Sequence, residues 1–211
     1  MTTAALPKLL RAAAVLAAAA LAGCGLAPQQ RQTDTYDLGP PRAYAGTGPS
    51  IAATLMLPDV SAPSWLDGHG IVYRLSYEND ARPQAYANSR WVAPPAALLT
   101  QRLRSRFASG AGGVVTGADG ARAEYGLRVE LEDFSQSFTA AATSRVVLRA
   151  RASLVRLADR QLVAQRVFVV ERPAPTPDAR GAVVALGEAS DEAVESLAQW
   201  TGGQIKAPRA K

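Results

Sequence analysis

The single cysteine of the chain stands where covalent lipid chemistry would use it. Leu21-Ala22-Gly23-Cys24 has an aliphatic residue, two small residues and a cysteine, which is the order of a lipobox. Lys8 and Arg11 precede an unbroken apolar run that ends at this motif. Basic, then apolar, then small is the pattern of a secretory signal peptide. The sequence therefore predicts a signal peptide over residues 1–23 and lipidation of Cys24, with an ordinary signal peptide and an incidental cysteine as the alternative.

The apolar run is too short to cross a membrane. As a helix, Ala12–Ala22 covers about 16 Å of a hydrocarbon core that is about 30 Å thick. Bacterial lipoproteins, which this N-terminus resembles, carry three acyl chains, palmitate among them, and several chains hold a protein stably at a bilayer. In enterobacterial lipoproteins an aspartate after the cysteine favours the inner membrane, whereas this chain has Gly25. The resemblance implies a lipid anchor in the outer membrane, on its periplasmic face.

The other residues capable of chemistry do not form a catalytic set. His69 is the only histidine, so a serine-hydrolase triad would have to use it. Ser64 and Asp67 are near it in sequence, but no G-x-S-x-G motif accompanies them. The sequence has no histidine or cysteine cluster for zinc and no phosphate-cradling motif. We expect no enzymatic activity, no catalytic residue, no metal and no cofactor, and we place His69 in an exposed turn.

Aromatic residues are concentrated between Pro58 and Trp91. The segment is predicted to contain a loop, a strand at 71–76, a turn at 78–83 and a short strand near 84–86. Tryptophan, tyrosine and arginine dominate binding hot spots, so we predict that this segment binds a partner, with Trp65 and Tyr86 the more exposed members. The alternative is that the rings cover a thin core. The candidate partner-binding residues are Trp65, Tyr73, Arg74, Tyr86 and Trp91.

Three long segments alternate between apolar and polar residues. Residues 124–134, 145–157 and 162–171 show the pattern of a half-buried antiparallel sheet. A hairpin centred near Ala140 and Ala141 would set Glu130 opposite Arg151 and Glu132 opposite Arg149. Such pairs contribute about 0.2 to 1 kcal/mol each and help to set the register. The alternative is that Arg145, Arg149 and Arg151 form a basic stripe for anionic lipid headgroups.

Two amphipathic helices and a buried strand complete the predicted elements. The strand covers 51–57. The first helix begins at Pro94-Pro95 and ends before Gly110, with Leu99, Leu103 and Phe107 toward the core and Arg102, Arg104 and Arg106 on the other faces. The second helix is capped by Asp178 and ends at Gly202-Gly203. The basic tail, 204–211, is expected to fray.

The charge of the chain does not indicate nucleic-acid binding. The formal net charge is +5, and Lys8 and Arg11 of the signal peptide contribute to it. The remaining arginines are spread along the chain, without the aromatic-plus-basic module of RNA-binding domains. We expect no nucleic-acid partner.

Several of these motifs also occur together in a known family. The residues concerned are the lipobox LAGC, YDL at 36–38, LPDVSAP followed by WLDGHGIVYRLS, YANSRW with APP opening a helix, and AVESLAQW near the C-terminus. On these residues the chain resembles the ABC-type transport auxiliary lipoprotein family, which includes the paraquat-inducible C lipoprotein. The resemblance covers essentially the whole mature chain. The sequence departs from the family pattern at Gly68-His69-Gly70 and in a glycine-rich insert near residue 112.

The resemblance implies both a fold and a role. The fold would be a three-layer α/β sandwich with a mixed, largely antiparallel sheet and two main helices, akin to TolB N-terminal and anticodon-binding-like folds. Residues 24–35 would be the lipidated tether and 36–203 the domain. The role would be a non-enzymatic outer-membrane dock, itself a homo-oligomer, for the mammalian-cell-entry (MCE) domain protein of an ABC-type lipid transporter. The alternative is a periplasmic lipid-binding carrier or an envelope-assembly chaperone, which needs an enclosed apolar pocket.

Overall fold

The computed structural model describes residues 33–41 and 51–206. The signal peptide, Cys24, most of the predicted tether and the last residues of the basic tail lie outside this part of the chain, so they stay predictions. Within the described residues, no helix is both long and apolar enough to cross a membrane.

Eight strands form one mixed sheet that carries two helices. The predicted α/β fold, with a largely antiparallel mixed sheet and two main helices, is confirmed. In chain order the elements are β1 (Asp34–Tyr36), β2 (Ile51–Met56), β3 (Gly70–Leu75), β4 (Gln84–Trp91), α1 (Pro95–Ala108), β5 (Ala111–Val115), β6 (Tyr125–Ala140), β7 (Thr143–Arg156), β8 (Gln161–Pro173) and α2 (Ala179–Lys206).

The long strand β6 organises the sheet. One of its edges pairs with β7 in antiparallel fashion, and β8 continues beyond β7. Its other edge is shared by two parallel partners, β2 near its start and β3 near its end. Beyond β3 lie β4 and then β1, and beyond β2 lies β5. Since β3 and β7 pair with opposite edges of β6, the β3–β4 hairpin and β8 lie on opposite sides of it.

The β6–β7 hairpin has the predicted register over its first half. Glu130 lies opposite Arg151, as predicted. Glu132 occupies a bulge, so Arg149 lies opposite Asp133 instead of Glu132. The side chains still meet, because the Nε of Arg149 donates a hydrogen bond to the Glu132 carboxylate at 2.7 Å. We call Glu130, Glu132, Arg149 and Arg151 the charge ladder.

Strand β5 was not predicted, because its first residues lie in a glycine-rich stretch. It pairs in parallel with β2. A Cβ atom at Gly112 would lie 3.3 Å from the backbone nitrogen of Ala53. The missing side chain therefore allows the close approach of the two backbones that makes this a strand.

Two arginines of α1 that were predicted to lie off the apolar stripe are nevertheless shielded from solvent. Arg102 and Arg106 are buried. Arg102 donates to the Asp191 carboxylate, and the Nε of Arg106 donates to the Glu195 carboxylate at 2.7 Å. Both acidic residues belong to α2, which covers this side of α1. We call these four residues the helix clamp.

The segment after β1 is fixed to the helix clamp. Arg102 donates hydrogen bonds to the carbonyl oxygens of Leu38 at 2.8 Å and Gly39 at 2.7 Å. Leu38 is buried in the core, and a Cβ atom at Gly187 of α2 would lie 2.8 Å from its carbonyl oxygen. Gly39 has φ of +72°, which favours glycine. The chain that leads from the N-terminus is thus held by both helices.

The ends of α2 match the prediction at one end only. At the start, the Asp178 carboxylate accepts a hydrogen bond from the Gly181 N–H at 2.8 Å, and this bond holds the pKa of Asp178 below its usual value. At the other end the helix does not stop at Gly202-Gly203 but continues to Lys206. Each glycine costs about 1 kcal/mol in a helix, and the last turn beyond them brings Ile205 into contact with the core.

Candidate functional site

The predicted partner-binding residues do not form one site. They lie on the loop before β3, on β3 and on β4. Tyr73 and Arg74 are consecutive residues of β3, so their side chains point to opposite faces of the sheet. The structure therefore separates them into a surface pair, a half-buried ring cluster and a core residue.

The surface pair consists of Trp65 and Arg74. Trp65 lies in a short 3₁₀ turn, and 37% of it is exposed. The guanidinium carbon of Arg74 lies 4.9 Å from the centroid of the indole ring, a cation–π contact. The Nη1 of Arg74 donates to the carbonyl oxygen of Asp80 at 2.9 Å. Among the described residues no carboxylate forms an ion pair with Arg74, so the pair presents an aromatic ring and a positive charge together.

Asp133 and Ser135 of β6 continue the polar face on which Arg74 lies, and the sequence analysis did not predict them as part of the site. Asp133 of β6 is half-buried and accepts a hydrogen bond from Ser135 at 2.7 Å. Burial raises the pKa of the Asp133 carboxyl above its usual value, and Arg74 opposes this only in part. Two consecutive acidic residues, Glu132 and Asp133, break the alternation of β6. That break was the signal for a bulge, which turns both side chains toward this face.

Tyr73 and Tyr86 form a half-buried cluster on the opposite face. Their ring centroids are 4.7 Å apart, and the centroid of Phe138 lies 5.9 Å from that of Tyr73. The hydroxyl of Tyr86 donates to Oε1 of Gln136 at 2.7 Å, and that of Tyr73 donates to Oε1 of Gln84 at 3.1 Å. The expectation that Tyr86 is one of the more exposed residues is wrong, because its ring packs against the core and its hydroxyl is used.

The surroundings of Tyr86 keep it neutral. Burial raises the pKa of its hydroxyl well above the ordinary value, and the nearby Asp178 and Tyr73 raise it further. Its acceptor Gln136 in turn donates from Nε2 to the hydroxyl of Ser144 at 2.8 Å. The cluster is a satisfied network of neutral groups, which suits positioning of the sheet more than acid–base chemistry.

Trp91 belongs to the core, so the prediction that it contacts a partner is wrong. None of its surface is exposed, and its ring centroid lies 5.7 Å from that of Phe134. Its backbone N–H donates to the carbonyl oxygen of His69 at 2.7 Å. For Trp91, as for the half-buried ring of Tyr86, the alternative interpretation, coverage of the core, is correct.

The comparison with known families identifies the chain. The family model described as ABC-type transport auxiliary lipoprotein component matches residues 36–198. The chain belongs to this family. Members are auxiliary components of ABC-type transport and are lipoproteins, which are anchored to membranes of the cell envelope. No curated protein matches the sequence.

Solved structures share the fold of this auxiliary lipoprotein. A Xanthomonas campestris protein of the DUF330 family is 21% identical, with 82% of this chain and 91% of that chain covered and a TM-score of 0.68. An uncharacterized protein is 20% identical, with 81% and 99% covered and a TM-score of 0.62. A hypothetical protein from Chlamydia trachomatis is 7% identical, with 75% and 100% covered and a TM-score of 0.52. At these identities the likeness concerns the fold alone.

The only histidine of the auxiliary lipoprotein has a backbone partner. His69 is exposed, as predicted, and its Nδ1 lies 3.0 Å from the carbonyl oxygen of Trp91. Since a carbonyl oxygen can only accept, Nδ1 carries the proton. In the described chain neither Ser64 nor Asp67 is hydrogen-bonded to His69, and no group of three metal-ligating side chains occurs there.

The arginines of β7 are paired with carboxylates. Arg145 lies 3.2 Å from Glu171, and Arg149 and Arg151 belong to the charge ladder with Glu130 and Glu132. The hydrogen bond from Arg149 lowers the pKa of Glu132. Pairing of this kind favours a role in register over the alternative of a basic stripe for lipid headgroups.

Proposed function

We propose that this auxiliary lipoprotein is a non-enzymatic subunit of an MCE/ABC-type intermembrane lipid transport system. It is anchored in the outer membrane, faces the periplasm, docks the MCE-domain protein of the transporter and supports envelope integrity. Membership of the transport auxiliary family carries the proposal. The lipobox and Gly25 support the anchor and its membrane.

The docking surface is the Trp65–Arg74 pair. Trp65 offers an exposed aromatic surface, and Arg74 is held over it by its bond to Asp80. Tryptophan and arginine are enriched among the residues that dominate interface energies, and a pre-positioned side chain loses less entropy on binding. Tyr73 and Tyr86 support this surface from the other face of β3 and β4 instead of contacting the partner directly.

The segment between the proposed anchor and β1 is short. Residues 25–33 span at most about 30 Å when fully extended. Strand β1 then begins at Asp34, within the segment that the sequence assigned to the tether, and the helix clamp holds the chain after it. The tether between the proposed anchor and the start of the domain is therefore short.

The cavities favour docking over the alternative role as a lipid carrier. An acyl chain needs an enclosed apolar pocket. Three depressions of about 190, 430 and 440 Å³ each have charged side chains in their walls. These side chains are Asp37 and Arg102 in the first, Arg172, Glu188 and Asp191 in the second, and Asp59, Asp67 and Arg104 in the third. Native mass spectrometry after mild extraction tests the same point, and a bound lipid would favour the carrier.

Co-purification with the MCE-domain protein tests the docking role. The full lipoprotein should retain its partner, and Trp65→Ala and Arg74→Ala should each reduce the retained partner at least about tenfold. Val184→Ala is the matched control, since Val184 is 48% exposed on α2. Each variant is compared with the wild type by thermal unfolding. If folded Trp65→Ala and Arg74→Ala bind as the wild type does, the docking surface is wrong; if the wild type retains no MCE protein, the function is wrong.

A second experiment tests the anchor. Cys24→Ser, or treatment with globomycin, should leave the precursor unprocessed and unlipidated, which changes its mass. When the two membranes are separated on a density gradient, the wild-type protein should be found in the outer-membrane fraction. An unchanged mass after Cys24→Ser would overturn lipidation, and wild-type protein in the inner-membrane fraction would overturn the location.

A further inference from the structure

Arg74 leaves most of its hydrogen-bond donors without an acceptor. A guanidinium carries five N–H donors, and within the described chain that of Arg74 donates to one acceptor, the carbonyl oxygen of Asp80 at 2.9 Å. The side chain is partly exposed. Because the planar fork of an arginine matches the two oxygens of a carboxylate, the remaining donors specify the chemistry of a ligand at this position.

A chain of hydrogen bonds fixes the direction of this guanidinium. The Ser76 hydroxyl donates to the Asp80 carboxylate at 2.6 Å and lies 2.7 Å from the hydroxyl of Ser137 on β6. These bonds tie the turn after β3 to the sheet, and the carbonyl oxygen of Asp80 in that turn holds Arg74. The Trp65 ring makes a second contact, 4.9 Å from the guanidinium carbon. Since two contacts already hold Arg74, a ligand orders it at a smaller entropic cost.

Asp133 lies near Arg74 without forming an ion pair with it. The positive charge of Arg74 lowers the pKa of the Asp133 carboxyl, whereas burial and the negative charge of Asp80 raise it. The hydrogen bond that the Asp133 carboxylate accepts comes from Ser135 instead, at 2.7 Å. A second negative group that approaches Arg74 from solvent would therefore be repelled by Asp133.

We propose that Arg74 binds a carboxylate of the MCE-domain partner, from an aspartate or glutamate side chain, while Trp65 packs against the aliphatic atoms beside that carboxylate. Two parallel N–H···O bonds join such a pair and fix its geometry. A guanidinium at an aromatic ring keeps its N–H groups available in its own plane, so the contact with Trp65 and the ion pair form together. The inference rests on the proposed function and adds the chemistry of the partner to it.

The opposite chemistry, a lysine or arginine of the partner, fits this surface less well. It would have to bind Asp80 or Asp133, and each of these carboxylates already accepts a hydrogen bond from a serine. Asp133 is also half-buried, and the positive charge of Arg74 stands beside it. The observations therefore favour an incoming anion.

The dissociation constant of the MCE-domain protein, measured on the full lipoprotein captured in detergent, tests the proposal. Arg74→Gln should raise this constant at least about tenfold, because the amide has neither the charge nor the fork. Arg74→Lys should raise it by less, about threefold, since the charge remains without the fork. Added salt should weaken binding of the wild type more than binding of Arg74→Gln. An Arg74→Gln variant that binds as the wild type does overturns the proposal.

Asp133→Asn should act in the opposite direction. Removal of this negative charge should lower the dissociation constant about threefold, because a like charge no longer repels the incoming carboxylate. Glu188→Gln is the matched control, since it also removes one negative charge, but from α2, where Glu188 is bonded to Arg172. It should leave the constant unchanged. Unchanged or weaker binding of Asp133→Asn overturns the proposal, and weaker binding would indicate a cation of the partner.

Acetate as a probe distinguishes failure of this inference from failure of the proposed function. Compared with an equal concentration of chloride, acetate should shift the NMR signal of the Arg74 Nε–H of the full lipoprotein more than that of Arg156, which is already bonded to Asp159. Equal shifts, with the MCE protein still retained, overturn the carboxylate site and leave the docking function. A selective shift of Arg74 without retention of the MCE protein refutes the docking function and leaves the carboxylate site.

Discussion

Arginine–carboxylate pairs occur in two parts of the molecule with opposite exposure. In the charge ladder, the side chains of Arg149 and Arg151 are 49% and 44% exposed, although the Glu132 carboxylate that they share is only 17% exposed. In the helix clamp, those of Arg102 and Asp191 are 5% and 13% exposed. Arginine–carboxylate ion pairs therefore lie at the solvent-exposed surface in the charge ladder and between two packed helices in the helix clamp.

The difference in exposure decides what each set does. An exposed pair contributes about 0 to 1 kcal/mol, since water screens it and two long side chains must be held in place. Removal of one partner from a buried pair costs about 3 to 5 kcal/mol, because the other charge stays buried without compensation. The charge ladder thus helps to set strand register, whereas the helix clamp fixes α1, α2 and the segment after β1 together.

The largest expected effect comes from breaking the helix clamp. Arg102→Met leaves Asp191 and the carbonyl oxygens of Leu38 and Gly39 without this donor, so we expect a loss of about 3 to 5 kcal/mol in the free energy of unfolding. Arg149→Met, the matched change in the charge ladder, should cost about 1 kcal/mol or less. Urea unfolding of both variants at pH 7 measures the two losses. Equal losses would remove the distinction between the two sets.

A smaller effect is expected from the glycine that admits Leu38. The Cβ of Gly187→Ala would lie 2.8 Å from the Leu38 carbonyl oxygen, so the segment after β1 must move. We expect a loss of about 1 to 3 kcal/mol. Gly203→Ala on the same helix meets nothing within 4 Å and should gain about 0.5 to 1 kcal/mol. Thermal unfolding gives both signs, and a gain for Gly187→Ala would mean that Leu38 is not held as described.

Added salt should reduce the stability contribution of the charge ladder more than that of the helix clamp, and this difference is smaller than those above. The hydrogen bond from Arg149 lowers the pKa of the Glu132 carboxyl. Glu132→Gln removes this negative charge, and we expect a loss of about 0.2 to 1 kcal/mol in the free energy of unfolding. In 1 M salt, where the screening length is about 3 Å, most of this cost should vanish. Glu195→Gln removes the carboxylate charge beside Arg106; although Glu195 is itself 31% exposed and Glu132 only 17%, Arg106 is 2% exposed, so this cost should be larger and should persist. Urea unfolding at 0.05 and ~1 M salt makes the comparison, and a salt-sensitive Glu195→Gln would contradict it.

The sign of the pH dependence follows for these two carboxylates. Hydrogen bonds from arginine lower the folded-state pKa of Glu132 and Glu195. Their stabilisation is therefore present above the unfolded value of about 4.3 and is lost as the pH falls through the folded value. Both carboxylates lose their contribution in acid, so pH alone does not distinguish Glu132 from Glu195, whereas salt does.

The charge ladder was predictable and the helix clamp was not, for a local reason. Alternation with a period of two residues places Glu130 opposite Arg151 once a hairpin is assumed. In α1, however, Arg102 lies away from the apolar stripe, and only a second helix 89 residues further along the chain buries it. The signal was a matched spacing: Arg102 and Arg106 are four residues apart, as are Asp191 and Glu195. Such a match pairs two helix faces, but the sequence does not say which helices meet.

The candidate site was half predictable for the same reason. The strand period already places Tyr73 and Arg74 on opposite faces, so one continuous site was inconsistent with the predicted strand. Residue type cannot distinguish Trp65 from Trp91, because a tryptophan suits an interface and a core equally. The difference comes from tertiary position: Trp65 lies in a turn, whereas Trp91 closes β4 against Phe134.

A carboxylate that belongs to neither set gives the smallest and most diagnostic effect. Asp133 forms no ion pair within the described residues, and burial raises its pKa. A raised pKa means that the folded state loses stability as the pH rises from the unfolded value of about 3.9 through the folded value. Asp133→Asn keeps the acceptor for Ser135 without the buried charge, so it should gain about 0.5 kcal/mol or less at pH 7.

The pH profile decides whether burial or pairing governs Asp133. The advantage of Asp133→Asn should be smallest below the unfolded value of about 3.9 and should grow as the pH rises toward 7. Urea unfolding across this range measures the difference in stability. Glu132→Gln, at the preceding residue of the same bulge, is the matched control, and its loss of stability should grow with pH instead. A deficit for Asp133→Asn that also grows with pH would mean that Arg74 pairs with Asp133, and the docking surface would then carry less free positive charge than proposed.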